Sequence, residues 1–408
     1  MKILNSAQLA SLVNTMLKNS RGTTSTSDGA ESDGLIVKED LSNLVDAGVE
    51  LANNISALNL RNIVTGMLEG VGRILYENAK LTSPSRFDLF IDIDSYNTIL
   101  EKVRISAIEF EESYVYATSG GSSFEDMFNN HPLTFTVKVW NSTGAYRTKP
   151  FTISEIQLAS SARDPEELVR LIGQIYAVVE RTYYKALREG EKRVVNNQAA
   201  NCCMYRNGIN CIDVLEEYRK ATNVSLTRQQ MSNSDEFKRW FYGFYKHYKM
   251  LMGEETGNFN AENNLINTDD EDRRAFMLEP FVTSLRTISH YEDGAYFKDA
   301  LDGVTEIPFI QNVNEPDKIS IVPVEPPEGS GITGIEISDI IGMLWDKRGT
   351  MLSASRIEAG SQPNNFDKWE NYVNNFTVRE MCDKGSNAIL FVAHDASGAT
   401  KAYTTTTE

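Results

Sequence analysis

The chain holds one complete G-x-G-x-x-G run, Gly329-Ser330-Gly331-Ile332-Thr333-Gly334. In a dinucleotide-binding fold such glycines follow a buried strand, open a helix and let a pyrophosphate approach the helix N-terminus. Here Glu325-Pro326-Pro327-Glu328 precedes the run, and the chain left after Gly334 is short for the rest of a nucleotide domain. A glycine-rich turn is the plainer reading, with a cytosolic nucleotide-binding enzyme as the catalytic alternative. Cys202, Cys203, Cys211 and Cys382 are too few for a disulfide framework. They lack the C-x₂-C unit and nearby histidine of a zinc site, so they read as plain thiols of a reducing compartment. His131, His247, His290 and His394 are scattered, and neither H-E-x-x-H nor G-x-S-x-G occurs. Asp92 and Asp94 suggest a metal pair, but on a strand carboxylates two apart share one face and ordinarily form its wet side. The expectation is a non-enzymatic protein with no catalytic, cofactor-binding or metal residues and no cofactor.

Composition narrows the classes further. The 408 residues correspond to two or three domains at about 150 residues each, or to one elongated multi-part subunit. Hydrophobic residues make up 41%, enough for a folded core, and the net charge is -17. Nucleic-acid binders need clustered Lys and Arg to displace counterions, so this balance argues against tight DNA binding. No run approaches the roughly 18 to 20 apolar residues of a membrane helix. Residues 1–17 read as an amphipathic helix interrupted by Gln8, Asn14 and Thr15, with no small-residue cleavage site, so a cytoplasmic protein without membrane contact is expected.

The elements that must position any site fall in a clear order. Residues 20–34 are small and polar, a flexible tether between the first helix and helical stretches from about 40 and over 59–76. These first 80 residues read as short helices on a loose string, an arm and not a compact domain. From 86 to 153 the hydrophobic period is two, as in Ile91-Asp92-Ile93-Asp94, Val103-Arg104-Ile105 and Phe135-Thr136-Val137-Lys138-Val139. The last two segments, with the Gly/Ser/acidic stretch between them, read as a long two-stranded hairpin. Such a hairpin is marginal alone and asks for a neighbour. Asp164-Pro165-Glu166-Glu167 opens a helix with an N-cap, a proline at the first position and acids in the first turn. Its stripe through Leu168, Ile172, Ile175, Val179, Tyr183 and Val194 predicts about 34 residues, on the order of 50 Å, with Gly190 as a bending point. Helices over 213–221 and 235–252 follow, the second with an aromatic stripe that reads as core. A loop is expected over 253–272, a helix over 273–291, and strands around 376–379 and 389–392.

This order of helical arm, long hairpin, one very long helix, mixed domain and return strands resembles the tailed-bacteriophage major capsid proteins. Local stretches strengthen the likeness. Phe151-Thr152-Ile153-Ser154-Glu155-Ile156-Gln157-Leu158 resembles the junction from E-loop to spine helix in podophage capsid proteins. Leu278-Glu279-Pro280-Phe281, Tyr296-Phe297-Lys298-Asp299-Ala300 and Glu306-Ile307-Pro308-Phe309 resemble the mid A-domain. So does Trp345-Asp346-Lys347-Arg348-Gly349, followed by Arg356. The segments 372–376 and 388–392 resemble the closing strands. The helical insert at 213–252 and the loop at 253–272 depart from the family's pattern. The resemblance implies an α+β Hong-Kong-type capsid fold: an N-terminal arm (1–85), an E-loop hairpin with flanking P-domain strands (86–155), a P-domain spine helix (156–205), an A-domain with a helical insertion (206–355), and return strands with a tail (356–408). It implies self-assembly into pentamers and hexamers of an icosahedral phage head, in the virion and assembled in a bacterial cytoplasm. The implied partners are other copies, portal protein, scaffolding protein, decoration proteins and packaged double-stranded DNA by non-specific contact. An encapsulin-like compartment shares the fold and stays open. Some capsid families crosslink Lys to Asn; Lys102, Lys138 and Lys149 lie in the hairpin region, and nothing marks one as activated.

Overall fold

The computed structural model describes residues 4–20, 35–54, 60–81, 85–87, 89–93, 100–105, 135–140, 143–147, 150–289, 301–355, 357–364, 369–394 and 402–407. Three helices come first: α1 (Ser6–Ser20), α2 (Leu44–Asn54) and α3 (Leu60–Leu81). Strands β1 (Phe90–Ile93), β2 (Leu100–Ile105), β3 (Phe135–Trp140), β4 (Thr143–Arg147) and β5 (Phe151–Ser154) follow, then α4 (Glu155–Arg163) and α5 (Pro165–Met204). The middle of the chain gives β6 (Cys211–Asp213), α6 (Val214–Thr222), α7 (Arg228–Asn233), α8 (Asp235–Leu251), β7 (Arg273–Leu278), α9 (Glu279–Ser289), β8 (Val304–Ile307) and β9 (Ile319–Ile321). The chain closes with β10 (Ile332–Ile337), β11 (Ile340–Asp346), β12 (Thr350–Ala354), β13 (Glu358–Asn364), β14 (Trp369–Cys382), β15 (Ala388–Val392) and β16 (Tyr403–Thr407).

Helix α5 is the organising element. The Asp164 side chain accepts from the Glu166 N–H at 3.0 Å, and Pro165 occupies the first turn, as the sequence predicts. The helix runs 40 residues, about 60 Å at 1.5 Å per residue, six residues longer than the apolar stripe suggests. No helix break occurs at Gly190. A Cβ there would sit 3.4 Å from Leu352 Cδ2 and Val378 Cγ1, an ordinary contact distance, so α5 lies on the sheet here without requiring a glycine. Residues from Leu168 to Val194 belong to one apolar cluster, and Val195, Ala199, Ala200, Cys202 and Cys203 to another. One helix thus struts both halves of the molecule.

The first half is a mixed sheet built on β14. This strand pairs antiparallel with β13 and β12 along one edge and with β5 and β4 along the other; β1 adds in parallel to β12. The N-terminal helices pack here, which corrects the loose-string expectation. Leu9, Leu12, Val13, Met16 and Leu17 of α1 are buried with Ile63, Val64, Met67, Leu68 and Val71 of α3 in the cluster that α5 and the sheet share. The Gly48 Cα lies so near α4 that a Cβ would come within 2.4 Å of the Ala162 carbonyl oxygen. Asn14 fixes the incoming chain by accepting from Val37 N–H at 2.6 Å and donating to its carbonyl at 3.0 Å. Stripes this apolar gain more from docking than from solvent. The tether itself falls outside the described residues.

The second half centres on a five-stranded sheet in the order β6-β15-β11-β7-β8. Ala275, Met277, Ile389 and Phe391 face the helices α6 to α9, while Phe276, Leu278, Leu390 and Val392 face α5 and a small sheet of β16, β10 and β9. Both faces are buried, so its strands read as continuous apolar runs and not as alternation. That is why the predicted helix over 273–291 is in fact strand β7 followed by α9 from Glu279. The aromatic stripe of α8 is core, as expected: Phe237, Phe241 and Tyr245 are buried, and Phe391 lies 6.5 Å from Phe241.

Candidate functional site

The nominated chemistry does not gather. Gly329 and Gly331 take φ of +72° and +63° in open space, and the segment leads into strand β10, not a helix. The helix N-terminus that a pyrophosphate needs is missing from that position. Cys202, Cys203 and Cys382 are buried, Cys211 is half-buried, and all four are free thiols. Burial, reinforced by the charges of Glu325 and Asp383, pushes the Cys382 thiol well up. His247 lies on α8, and His394 Nδ1 is 2.8 Å from Asp339 Oδ2; His131 and His290 fall outside the described residues. Asp92 sits on β1, while Asp94 and Lys149 fall outside the described residues. Among the described residues, no group of three or more His, Cys, Asp or Glu side chains is placed to hold a metal.

What the structure does bring together is Lys102 and Lys138. Strands β2 and β3 pair antiparallel in the register Leu100↔Trp140, Lys102↔Lys138 and Val103↔Val137, the hairpin pairing read from the sequence. The segment between them falls outside the described residues. Residues opposite one another in an antiparallel pair share a face, and like charges there repel. Both lysines point into the protein, where one carboxylate serves them both. Asp383 Oδ2 lies 2.8 Å from Lys102 Nζ, and Asp383 Oδ1 lies 3.1 Å from Lys138 Nζ. The Asp383 side chain is 0% exposed. Lys138 also pairs with Glu262, and Lys102 donates to Ser386 Oγ at 2.9 Å and to the Arg348 carbonyl at 3.1 Å. Beside them Trp140 is buried against Met381 and Met351. The ribbon is therefore riveted to the body at its base.

Asp383 is held by the turn it begins. Its carboxylate accepts from Gly385 N–H at 3.0 Å and from Ser386 Oγ at 3.2 Å. Gln198 of α5 accepts from the Cys382 thiol at 3.0 Å, and Asn201 donates to that sulfur at 3.3 Å. Asn260 donates to Asn387 Oδ1 at 3.1 Å, tying in the 253–272 loop that the sequence predicts. The turn after β14 is thus where α5, both sheets, that loop and the ribbon meet. Sequence reasoning missed Asp383 and Glu262; the available signal was the turn-forming run Asp383-Lys384-Gly385-Ser386-Asn387 between two strong strands.

The opposite face of the ribbon is unusual. Val103, Val137 and Val139 are 58%, 56% and 46% exposed. In a surface ribbon of a monomer the valines belong inside and the lysines outside. Here the order is inverted, which leaves an apolar strip displayed on a strand pair.

No protein-family model matches the sequence, and no curated protein matches it. Among solved structures the chain is similar to a protein in the capsid structure of Staphylococcus phage Andhra, at 10% identity over 72% of this chain and 80% of that one, with a TM-score of 0.43. It is also similar to a chain in the structure of the head fiber and inner core protein gp22 of bacteriophage P68, at 9% identity, 75% and 86% coverage and a TM-score of 0.42. A third is in the capsid of Cyanophage P-SCSP1u, at 10% identity, 76% and 87% coverage and a TM-score of 0.38.

Proposed function

We propose that the chain is a major capsid protein of a tailed phage, a structural subunit whose activity is self-assembly into an icosahedral shell around DNA. The observation that carries this reading is the inverted ribbon: its lysines are fixed inward on Asp383 while its valines face out. A strand pair built this way is complete only when another surface covers the valines. Element order supports the reading, with paired ribbon, 40-residue helix, mixed domain and return strands in the sequence expected of the capsid fold. In that assignment the ribbon is the E-loop base, α5 the spine, the β14 sheet the P-domain and the β11 sheet the A-domain. Copies of the chain are the principal partner. Portal, scaffolding and decoration proteins would complete the particle, and packaged DNA would touch it without sequence recognition. An encapsulin-like compartment remains the second reading, since the same ribbon and spine would serve a shell enclosing enzymes. Assembly would take place in a bacterial cytoplasm and leave the protein in the virion shell.

Covering three half-exposed valines contributes about 1 kcal/mol each, or about 3 kcal/mol per contact, more than 100-fold in association constant. The triple variant Val103→Ser, Val137→Ser, Val139→Ser should therefore fold yet sediment as small species where the parent forms large particles. Particles of unchanged size and yield from the variant would sink this role for the ribbon.

A further inference from the structure

The small sheet has the order β16-β10-β9, so β16 and β9 are its two edges. An edge strand carries a row of unpaired N–H and C=O groups, and proteins blunt such edges with charge, proline or cover. On β9 the blunting is visible. Gln311 Nε2 donates to the Ser320 carbonyl at 2.9 Å, and Gln311 Oε1 accepts from the Ser320 N–H at 2.7 Å. One side-chain amide thus occupies the outward groups of the middle residue of β9. The β16 edge carries nothing of the kind. Its residues are Tyr403-Thr404-Thr405-Thr406-Thr407, with no charge and no proline, and among the described residues no strand pairs with its outer side. All four threonines are exposed although they point to alternate faces, so beyond Tyr403 the strand buries no side chain. Pairing with β10 holds its inner side alone.

The outward groups follow from one hydrogen bond. Ser338 N–H donates to the Ala402 carbonyl at 2.9 Å, so residue 402 turns its backbone toward the β10 side, and Thr404 does the same two residues on. Tyr403, Thr405 and Thr407 therefore point their N–H and C=O groups outward. We infer that this edge pairs antiparallel with β16 of a second copy, across a two-fold axis at Thr405. A two-fold contact must be complementary to itself. A run of uncharged threonines meets that condition, in a chain whose net charge of -17 sets most of its surface against a copy. In this register Thr405 faces Thr405 and Tyr403 faces Thr407, each a hydrogen-bonded pair. The sequence flanks β16 with Lys401 and Glu408, and antiparallel pairing sets the basic end of each strand beside the acidic end of the other. The product joins two three-stranded sheets into one of six strands. Both of its outer edges are β9 strands closed by Gln311, so growth stops at two copies. The inference rests on the self-assembly proposed above and names one of its contacts.

Two variants of the full chain test it, and circular dichroism melts check the fold of each. Thr405→Cys places one thiol at the two-fold, where opposed Cα atoms about 5.5 Å apart suit a disulfide. Under mild oxidation it should give disulfide-linked dimers, in particles and in concentrated subunits. Linkage should be about tenfold faster, or more, than in Val313→Cys, whose site is 69% exposed and serves as the collision control. Thr405→Pro removes an outward N–H and spares the bonds to β10. It should weaken self-association of subunits in sedimentation by about 30-fold, for the two hydrogen bonds lost across the axis. Linkage no faster than the control, or self-association unchanged by the proline, would overturn the edge contact. Parent particles without linkage would refute this contact and leave the shell reading standing. Linked dimers from a parent that forms no particles would keep the contact and refute the shell.

Discussion

Replacing Asp383 by Asn isolates the rivet at the base of the ribbon. The amide oxygen can still accept from Gly385 N–H, so the turn keeps a hydrogen bond while the charge is lost. Lys102 keeps its bonds to Ser386 and the Arg348 carbonyl, and Lys138 keeps its pair with Glu262, but both lose the shared carboxylate charge. Removing one partner of a buried ion pair costs about 3 to 5 kcal/mol. The lysine side chains are 23% and 19% exposed, so water softens the loss and the low end applies, about 3 kcal/mol. That energy holds β2 and β3 to the body, so it governs local detachment of the ribbon and not global unfolding. In native-state hydrogen exchange on unassembled subunits, amides of 100–105 and 135–140 should lose about 150-fold in protection. Amides of β11 and β15 should change little. An unaltered ribbon would refute the rivet, and equal loss across both sheets would mean that Asp383 is a core group without a tethering role.

Other expectations follow from single contacts. Gly190→Ala has room beside Leu352 and Val378 and gains helix propensity, so it should stabilise by up to about 1 kcal/mol, whereas Gly48→Ala drives a Cβ into the Ala162 carbonyl and should cost about 1 to 3 kcal/mol in a denaturant melt. Equal effects of the two would contradict the docking of α2 on α4. Glu191→Ala leaves the Arg86 and Phe87 N–H groups without their acceptor and should destabilise by about 2 to 4 kcal/mol, read by urea unfolding. Burial raises the pKa of Glu325 above 4.5, more than Lys384 and Lys138 lower it. A raised carboxylate binds its proton more tightly when folded, so its cost is present at pH 7 and is relieved as pH falls through the raised value toward 4.5. Glu325→Gln should therefore raise Tm relative to the parent most at pH 7, with the gap closing on acidification; a gap that widens on acidification would reverse the sign.

Much of this was legible in the residues, and what was not has physical causes. Asp164-Pro165 marked the start of α5 because cap and proline act locally. The β2–β3 pairing showed in the period-two pattern because its two faces carry different residue types, lysines on one and valines on the other. Strand β7 was hidden because Ala275 to Leu278 are buried on both faces and lose alternation. The docking of α1 to α3 was hidden because an amphipathic stripe does not say which surface it covers. Asp383 was hidden for a similar reason. A turn aspartate looks solvated in sequence, and only the fold places two lysines from residues far upstream on its oxygens. The inverted ribbon was half visible, since alternation was plain but which face turns inward was not.

The central claim is that this subunit completes itself against copies of itself. The direct measurement is the particle size of the expressed full-length protein, by light scattering together with negative-stain microscopy. Closed shells, tubes or five- and six-fold rings are predicted. A monomer or dimer that persists under crowding and with a co-expressed scaffolding protein would contradict it.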